Sequence, residues 1–104
     1  PKPEVMPVFP GGQEKMYKYI YTVMKYPAEA RQKGVSGIVS VEFMVDEKGV
    51  LSDFLVLKGI GSGCDEEAVR VISSMNTAHR WTPAKTNGQP VKAMFTLPIK
   101  FVLQ

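Results

Sequence analysis

Between Val91 and Leu103 every odd-numbered residue is apolar: Val91, Ala93, Phe95, Leu97, Ile99, Phe101 and Leu103. Lys92, Met94, Thr96, Pro98, Lys100 and Val102 lie between them. Alternate residues of a strand point to opposite faces, so the odd side chains are expected to form core and the even ones to face away. A typical strand has about five or six residues, so this run is expected to outrun its partner. Pro98 has no N–H for a ladder. Proline inside a strand pattern belongs at a sheet edge or a bulge. If Pro98 lies at an edge, its nitrogen faces outward, and the backbone groups of the other even residues face outward with it. A long edge strand is a place where another chain can pair.

The rest of the chain supplies elements to cover the odd face. Met16, Tyr19, Ile20, Val23 and Met24 recur at helical spacing and predict an amphipathic helix over Gln13–Met24, with that stripe as core. Pro27 suits the first position of a second, short helix. Glu29 in its first turn and Arg31 and Lys33 in its last match the helix dipole, and Gly34 suits the left-handed residue just past its end. Val39, Val41, Phe43 and Val45 form one face of a first strand over about Ile38–Asp46. Asp46-Glu47-Lys48-Gly49 reads as a hairpin turn, with Gly49 at positive φ. In the second strand, Val50–Lys58, Leu51 shares a face with Phe54 and Val56 only if a bulge intervenes near Ser52-Asp53.

Asp65–Met75 reads as a third helix with Ala68, Val71, Ile72 and Met75 inward, and Cys64 before it as a small buried hydrophobe. Thr77–Arg80 reads as an irregular connection, Trp81 as a packing anchor, and Asn87-Gly88 as the turn into the final strand. The order predicts an α+β fold: a three-stranded antiparallel sheet with helices packed on one face. Residues 1–12, with Pro1, Pro3, Pro7, Pro10 and Gly11-Gly12, read as an extended Pro/Gly-rich lead-in from a spacer, and 13–104 as the domain. The start at Pro1, without a methionine, is expected of a piece of a longer protein.

Function classes can be narrowed in the same way. A 104-residue chain that is 44% apolar and 22% charged has the composition of one globular domain. No apolar run approaches the roughly 18–20 residues that span a bilayer. The single Cys64 excludes an internal disulfide, and one His with one Cys makes no zinc site. A net charge of +3 is mild and gives no ground for a nucleic-acid partner. His79, beside Arg80, reads as a solvated loop side chain. Asp65, Glu66 and Glu67 would raise the pKa of Cys64 rather than activate it. Gly59-Ile60-Gly61-Ser62-Gly63 precedes a helix as a phosphate loop does, yet it lacks the Lys-Ser/Thr of a P-loop and reads as a turn. No catalytic, metal or cofactor site is expected, and no motif supports an enzyme.

Several segments together carry a resemblance. Tyr26-Pro27-Ala28-Glu29-Ala30 is followed by Gly34, the strand Gly37–Val45, the turn ending at Gly49 and the helix Asp65–Met75. Trp81-Thr82-Pro83-Ala84-Lys85, Gly88-Gln89-Pro90-Val91 and Pro98-Ile99-Lys100-Phe101 close the series. This succession resembles the TonB C-terminal domain family from Tyr26 to about Leu103. Val8-Phe9-Pro10-Gly11-Gly12 and the helix after it look like an extension common in homologues from Bacteroidetes-type bacteria.

The resemblance implies a periplasmic domain of an inner-membrane-anchored energy transducer. Such a domain grips the TonB box of outer-membrane transporters by β-strand addition to the last strand. It passes on force from the proton-driven ExbB–ExbD motor, which would act through an N-terminal part outside this chain. The expected docking residues are then Lys92, Met94, Thr96, Pro98, Lys100 and Val102. The same domain type also ends some membrane-embedded sensor and metallopeptidase-like proteins. A peptidoglycan-binding module and a homodimer made by strand pairing or exchange are the other readings.

Overall fold

A computed structural model describes residues 3–103. Its elements are α1 (Gln13–Val23), α2 (Ala28–Lys33), β1 (Gly37–Val45), β2 (Leu51–Lys58), α3 (Cys64–Ala78), β3 (Ala84–Thr86), β4 (Gln89–Val91) and β5 (Ala93–Phe101). The main sheet has the order β2-β1-β5, antiparallel throughout, as the alternation predicts. The long central strand follows from β1's β-branched and aromatic residues, which suit a pleated surface. Val39, Val41, Phe43 and Val45 are fully buried in the core, with α3 packed against β1. The α1 stripe packs as predicted, with Met16 and Ile20 buried and Tyr19, Val23 and Met24 half-buried against the core. Ala68, Val71, Ile72 and Met75 of α3 are fully buried, and so is Cys64.

Local signals place the ends of these elements. Gly34 terminates α2 in the left-handed region, at φ 68°. In the β1–β2 turn, the Gly49 N–H donates to the Asp46 carbonyl at 3.0 Å, and Asp46 Oδ1 accepts from the N–H groups of Lys48 and Val50, both at 2.9 Å. Gly49 has φ +81°, and a Cβ there would collide with the carbonyl oxygen of Trp81. The Trp81 N–H in turn donates to the Gly49 carbonyl. The turn is thereby tied to the centre of the core. The expected bulge is present: Glu42 and Met44 of β1 face Leu55 and Ser52 of β2, and Asp53 between them has φ 55°. One extra residue on β2 returns Phe54 and Val56 to the core side that Leu51 occupies.

Four expectations need correction. The final strand does not outrun its partner: Ala93–Phe101 pairs residue for residue with Val45–Gly37. Gln89-Pro90-Val91 continues the alternation on paper, but it folds back through Asn87-Gly88 to pair with Ala84-Lys85-Thr86 in a second, two-stranded sheet. Pro27 is the N-cap of α2, in extended conformation, rather than its first helical residue. Thr77 and Ala78 continue α3, which ends where His79 turns extended.

Two carboxylates tie separate segments together. Glu67 Oε2 accepts from Arg70 Nη2 at 2.7 Å and from the Lys25 backbone N–H at 2.7 Å, joining α3 to the α1–α2 connection. Its pKa is held below the ordinary glutamate value, first by the Arg70 hydrogen bond. The Asp46 pKa is likewise lowered, first by the Val50 N–H. A carboxyl with a depressed folded-state pKa contributes its full stabilisation above its unfolded pKa, and loses it as pH falls through the folded value. Thermal melts are therefore expected to hold steady near neutrality and to drop as pH falls below about 4–5. Glu67→Gln should make that drop shallower, and an unchanged acid profile would contradict the assignment.

Candidate functional site: the outer edge of β5

β5 lies at the end of the sheet, so one side of its backbone faces β1 and, among the described residues, the other has no strand beside it. Its odd residues Ala93, Leu97, Ile99 and Phe101 are buried and Phe95 half-buried, while Met94, Thr96, Pro98 and Lys100 are exposed. The parity of the backbone is fixed at Lys100, whose N–H donates to the Tyr21 hydroxyl at 3.0 Å rather than to β1. Backbone groups two residues apart in a strand face the same side. Met94, Thr96 and Pro98 therefore direct their backbone groups outward with Lys100. Pro98, opposite Ser40, sits where a missing N–H leaves the β1 ladder whole.

Of the six residues expected at this edge, four lie in β5. Lys92 and Val102 flank it, one between β4 and β5 and the other past the strand end. The four are not equivalent. Pro98 offers only a carbonyl, and the Lys100 N–H is engaged by Tyr21. Among the described residues, Met94 and Thr96 are left with outward N–H groups that no strand or side chain takes up.

A groove runs along this same stretch, and it was not legible in the sequence. Its floor is the buried Trp81 and Leu97 with Phe95; Gln13, Met16 and Tyr17 of α1 and Pro7, Val8 and Phe9 of the lead-in wall it; and Thr96 and Pro98 complete the lining. Its volume is about 370 Å³. The lead-in can form a wall because it is pinned to the domain. Val5 and Lys85 exchange hydrogen bonds at 3.0 and 2.9 Å, and Val8 and Thr82 at 3.0 and 2.8 Å. Phe9 is buried, 6.1 Å from both Tyr19 and Trp81 between ring centroids. Tyr17 stacks on Tyr21, whose hydroxyl meets Lys100, with 6.1 Å between ring centroids. Phe9 beside Tyr19 and Trp81 is an aromatic set that only a nonlocal fold brings together.

The other candidate chemistry is accounted for structurally. The N–H groups of Ile60 and Gly61 both donate to Asp65 Oδ1, at 2.9 and 3.2 Å, so this chain's own carboxylate fills the place an anion would take in the glycine loop. Burial, then Asp65 and Glu66, push the Cys64 thiol pKa up, which disfavours the reactive thiolate. His79 is exposed, with its ring against Phe9 and Tyr19. Trp81 is buried, its indole N–H directed at Met75 Sδ at 3.4 Å. Among the described residues no helix is long and apolar enough to cross a membrane.

The family model described as Gram-negative bacterial TonB protein C-terminal matches residues 22–103. Two solution NMR structures of the Helicobacter pylori TonB C-terminal domain share the fold at 22% identity. One, of residues 194–285, has a TM-score of 0.64 and covers 86% of this chain and 90% of that one. The other, of residues 179–285, has a TM-score of 0.60 and covers 91% and 87%. No curated protein matches the sequence. The family match begins at Thr22, so the lead-in and nearly all of α1, which wall the groove, lie outside it.

Proposed function

Because the chain belongs to the family of Gram-negative bacterial TonB protein C-terminal domains, a family of periplasmic interaction domains, we propose that it grips outer-membrane transporters. A short extended transporter segment, the TonB box, would add to the outer edge of β5. The single observation that carries this reading is the unpaired backbone between Met94 and Pro98. In the same proposal an N-terminal anchor in the inner membrane links this domain to the ExbB–ExbD motor. The grip passes force to the transporter, and bonds lying across the pulling direction load together.

Magnitudes constrain the grip. Two outward N–H groups and the carbonyls of Met94, Thr96 and Pro98 allow about five backbone hydrogen bonds, each worth about 0.5–1.5 kcal/mol net. Ordering the peptide takes back a part of that sum. Micromolar binding corresponds to about 8 kcal/mol, so the backbone alone falls short and side-chain burial must supply the remainder.

Titration of the domain with a TonB-box peptide tests the reading by backbone amide NMR shifts. Changes are expected at Met94 and Thr96. Changes confined to Lys15, Lys18, Lys25 and Arg31 would overturn it. The same edge is open to a second copy of the chain, and sedimentation with and without peptide separates the two. A monomer that stays monomeric on binding fits docking; a dimer that peptide dissociates fits strand pairing between copies.

Tyr21 marks where docking should stop. Tyr21→Phe releases the Lys100 N–H to the partner. It is expected to cost the free domain about 0.5–1.5 kcal/mol and to tighten peptide binding by up to about tenfold. Isothermal titration beside thermal melts measures both.

A further inference from the structure

We infer that the groove beside Thr96 and Pro98 is a side-chain socket, and that it selects a docking segment carrying one large apolar residue. The inference rests on the strand-addition reading and deepens it. A strand paired to the outer edge of β5 would direct alternate side chains to the two faces of the sheet. Those on the helix-covered face would meet Phe95, Leu97 and Trp81 at the groove floor. The volume is about 370 Å³, whereas an apolar cavity of roughly 150 Å³ takes a benzene-sized ring.

The chemistry of the occupant can be read from the surroundings. Among the described residues no charged one lines the groove, so the inserted side chain is apolar. Thr96, whose backbone N–H is directed outward, lines the groove, so an extended chain can bond to the edge as it fills the groove, which a free small molecule does less well. The only charged side chain on β5 is Lys100, and Lys92 stands before the strand. An acidic side chain of the segment is therefore favoured level with Lys100 and disfavoured beside Thr96, where Glu42 stands across the ladder.

Val8 and Tyr17, on the walls of the groove, precede the residues that match the family model. The lead-in thus acts as a specificity element placed next to a shared docking edge.

Three seven-residue probe peptides test this, with glutamate at positions 1, 3, 5 and 7, threonine at 2 and 6, and leucine, phenylalanine or alanine at position 4, so that the central residue and the glutamates lie on opposite faces. The leucine and phenylalanine peptides are expected to bind roughly tenfold or more tightly than the alanine peptide. Isotope-filtered NOEs should run from the leucine methyls to the rings of Tyr17 and Phe95. Gln13 also lines the groove, and Gln13→Trp, which would fill it, should reduce the preference for the leucine and phenylalanine peptides over the alanine peptide.

Each alternative outcome is decisive. Equal binding of all three peptides with shifts at Met94 and Thr96 keeps strand addition and overturns the socket. Leucine NOEs to Ile38, Leu55 or Met94, apolar residues exposed on the open sheet face, overturn it as well. Failure of every peptide to perturb the edge overturns both readings. A groove found filled by a second copy of the chain overturns the socket as a site for a transporter segment.

Discussion

Leu97→Pro is expected to unfold the domain, whereas Thr96→Pro next to it should leave the domain folded and weaken docking. The difference is one of parity. Leu97 faces Val41 across the ladder and is buried, with its side chain in the core. Proline there removes an inward hydrogen bond and a buried leucine together. Truncation of a buried leucine alone costs about 2–5 kcal/mol, and a domain has only about 5–15 kcal/mol to lose. Thr96 is exposed and its backbone faces outward, as that of Pro98 does two residues on. Proline is already accommodated at that parity, so the folding cost of Thr96→Pro should stay within about 1–2 kcal/mol. Docking loses one of two outward donors and leaves a partner carbonyl unsatisfied, a penalty of about 1–3 kcal/mol, or tenfold and more in affinity. Circular dichroism melts and peptide titration separate the two effects. A folded Leu97→Pro variant, or an unfolded Thr96→Pro variant, would contradict the assigned parity.

Trp81→Ala is expected to have an effect of similar size on stability. Trp81 meets Phe43 at 5.5 Å, Phe95 at 5.2 Å and Phe9 at 6.1 Å between ring centroids. It thereby joins β1, β5 and the lead-in, while its backbone holds the Gly49 turn. Truncating a buried tryptophan costs about 3–5 kcal/mol, and aromatic pairs add about 0.5–1.5 kcal/mol each beyond area burial. A fall in the denaturant midpoint with an unchanged slope is expected. Trp81 also floors the groove, so any folded remainder should bind peptide poorly. A loss below about 1 kcal/mol would show that the tryptophan is not the keystone described.

The legible part of the fold is the part written in local periodicity. Alternation sorted β5 into buried and exposed rows because a one-residue slip would move Leu97, Ile99 and Phe101 out of the core. The break at Ser52-Asp53 was visible for the same reason: Leu51 and Phe54 cannot share a face otherwise. Gly34 and Gly49 were legible because the left-handed region strongly favours glycine.

What periodicity could not report is contact across the chain. Val91 continues the odd apolar series, yet it pairs with Ala84. Only the Asn87-Gly88 turn, whose two residues both have positive φ, hinted that the strand would be divided. The Tyr21 hydroxyl that closes the Lys100 end of the edge comes from 79 residues away. The wall made by Pro7, Val8 and Phe9 depends on backbone pairing with Thr82 and Lys85, which no side-chain pattern records. A proline-rich lead-in reads as spacer by composition, and the burial of Phe9 emerges only once Trp81 and Tyr19 are in place.

Amide hydrogen exchange of β5, with and without a TonB-box peptide, tests the central claim most directly. In the free domain the odd amides Phe95, Leu97 and Ile99 should be protected by β1, Lys100 partly protected by Tyr21, and Met94 and Thr96 unprotected. With peptide bound, Met94 and Thr96 should become protected while the odd residues change little. If Met94 and Thr96 exchange as fast with saturating peptide as without it, the outer edge of β5 is not where the partner docks.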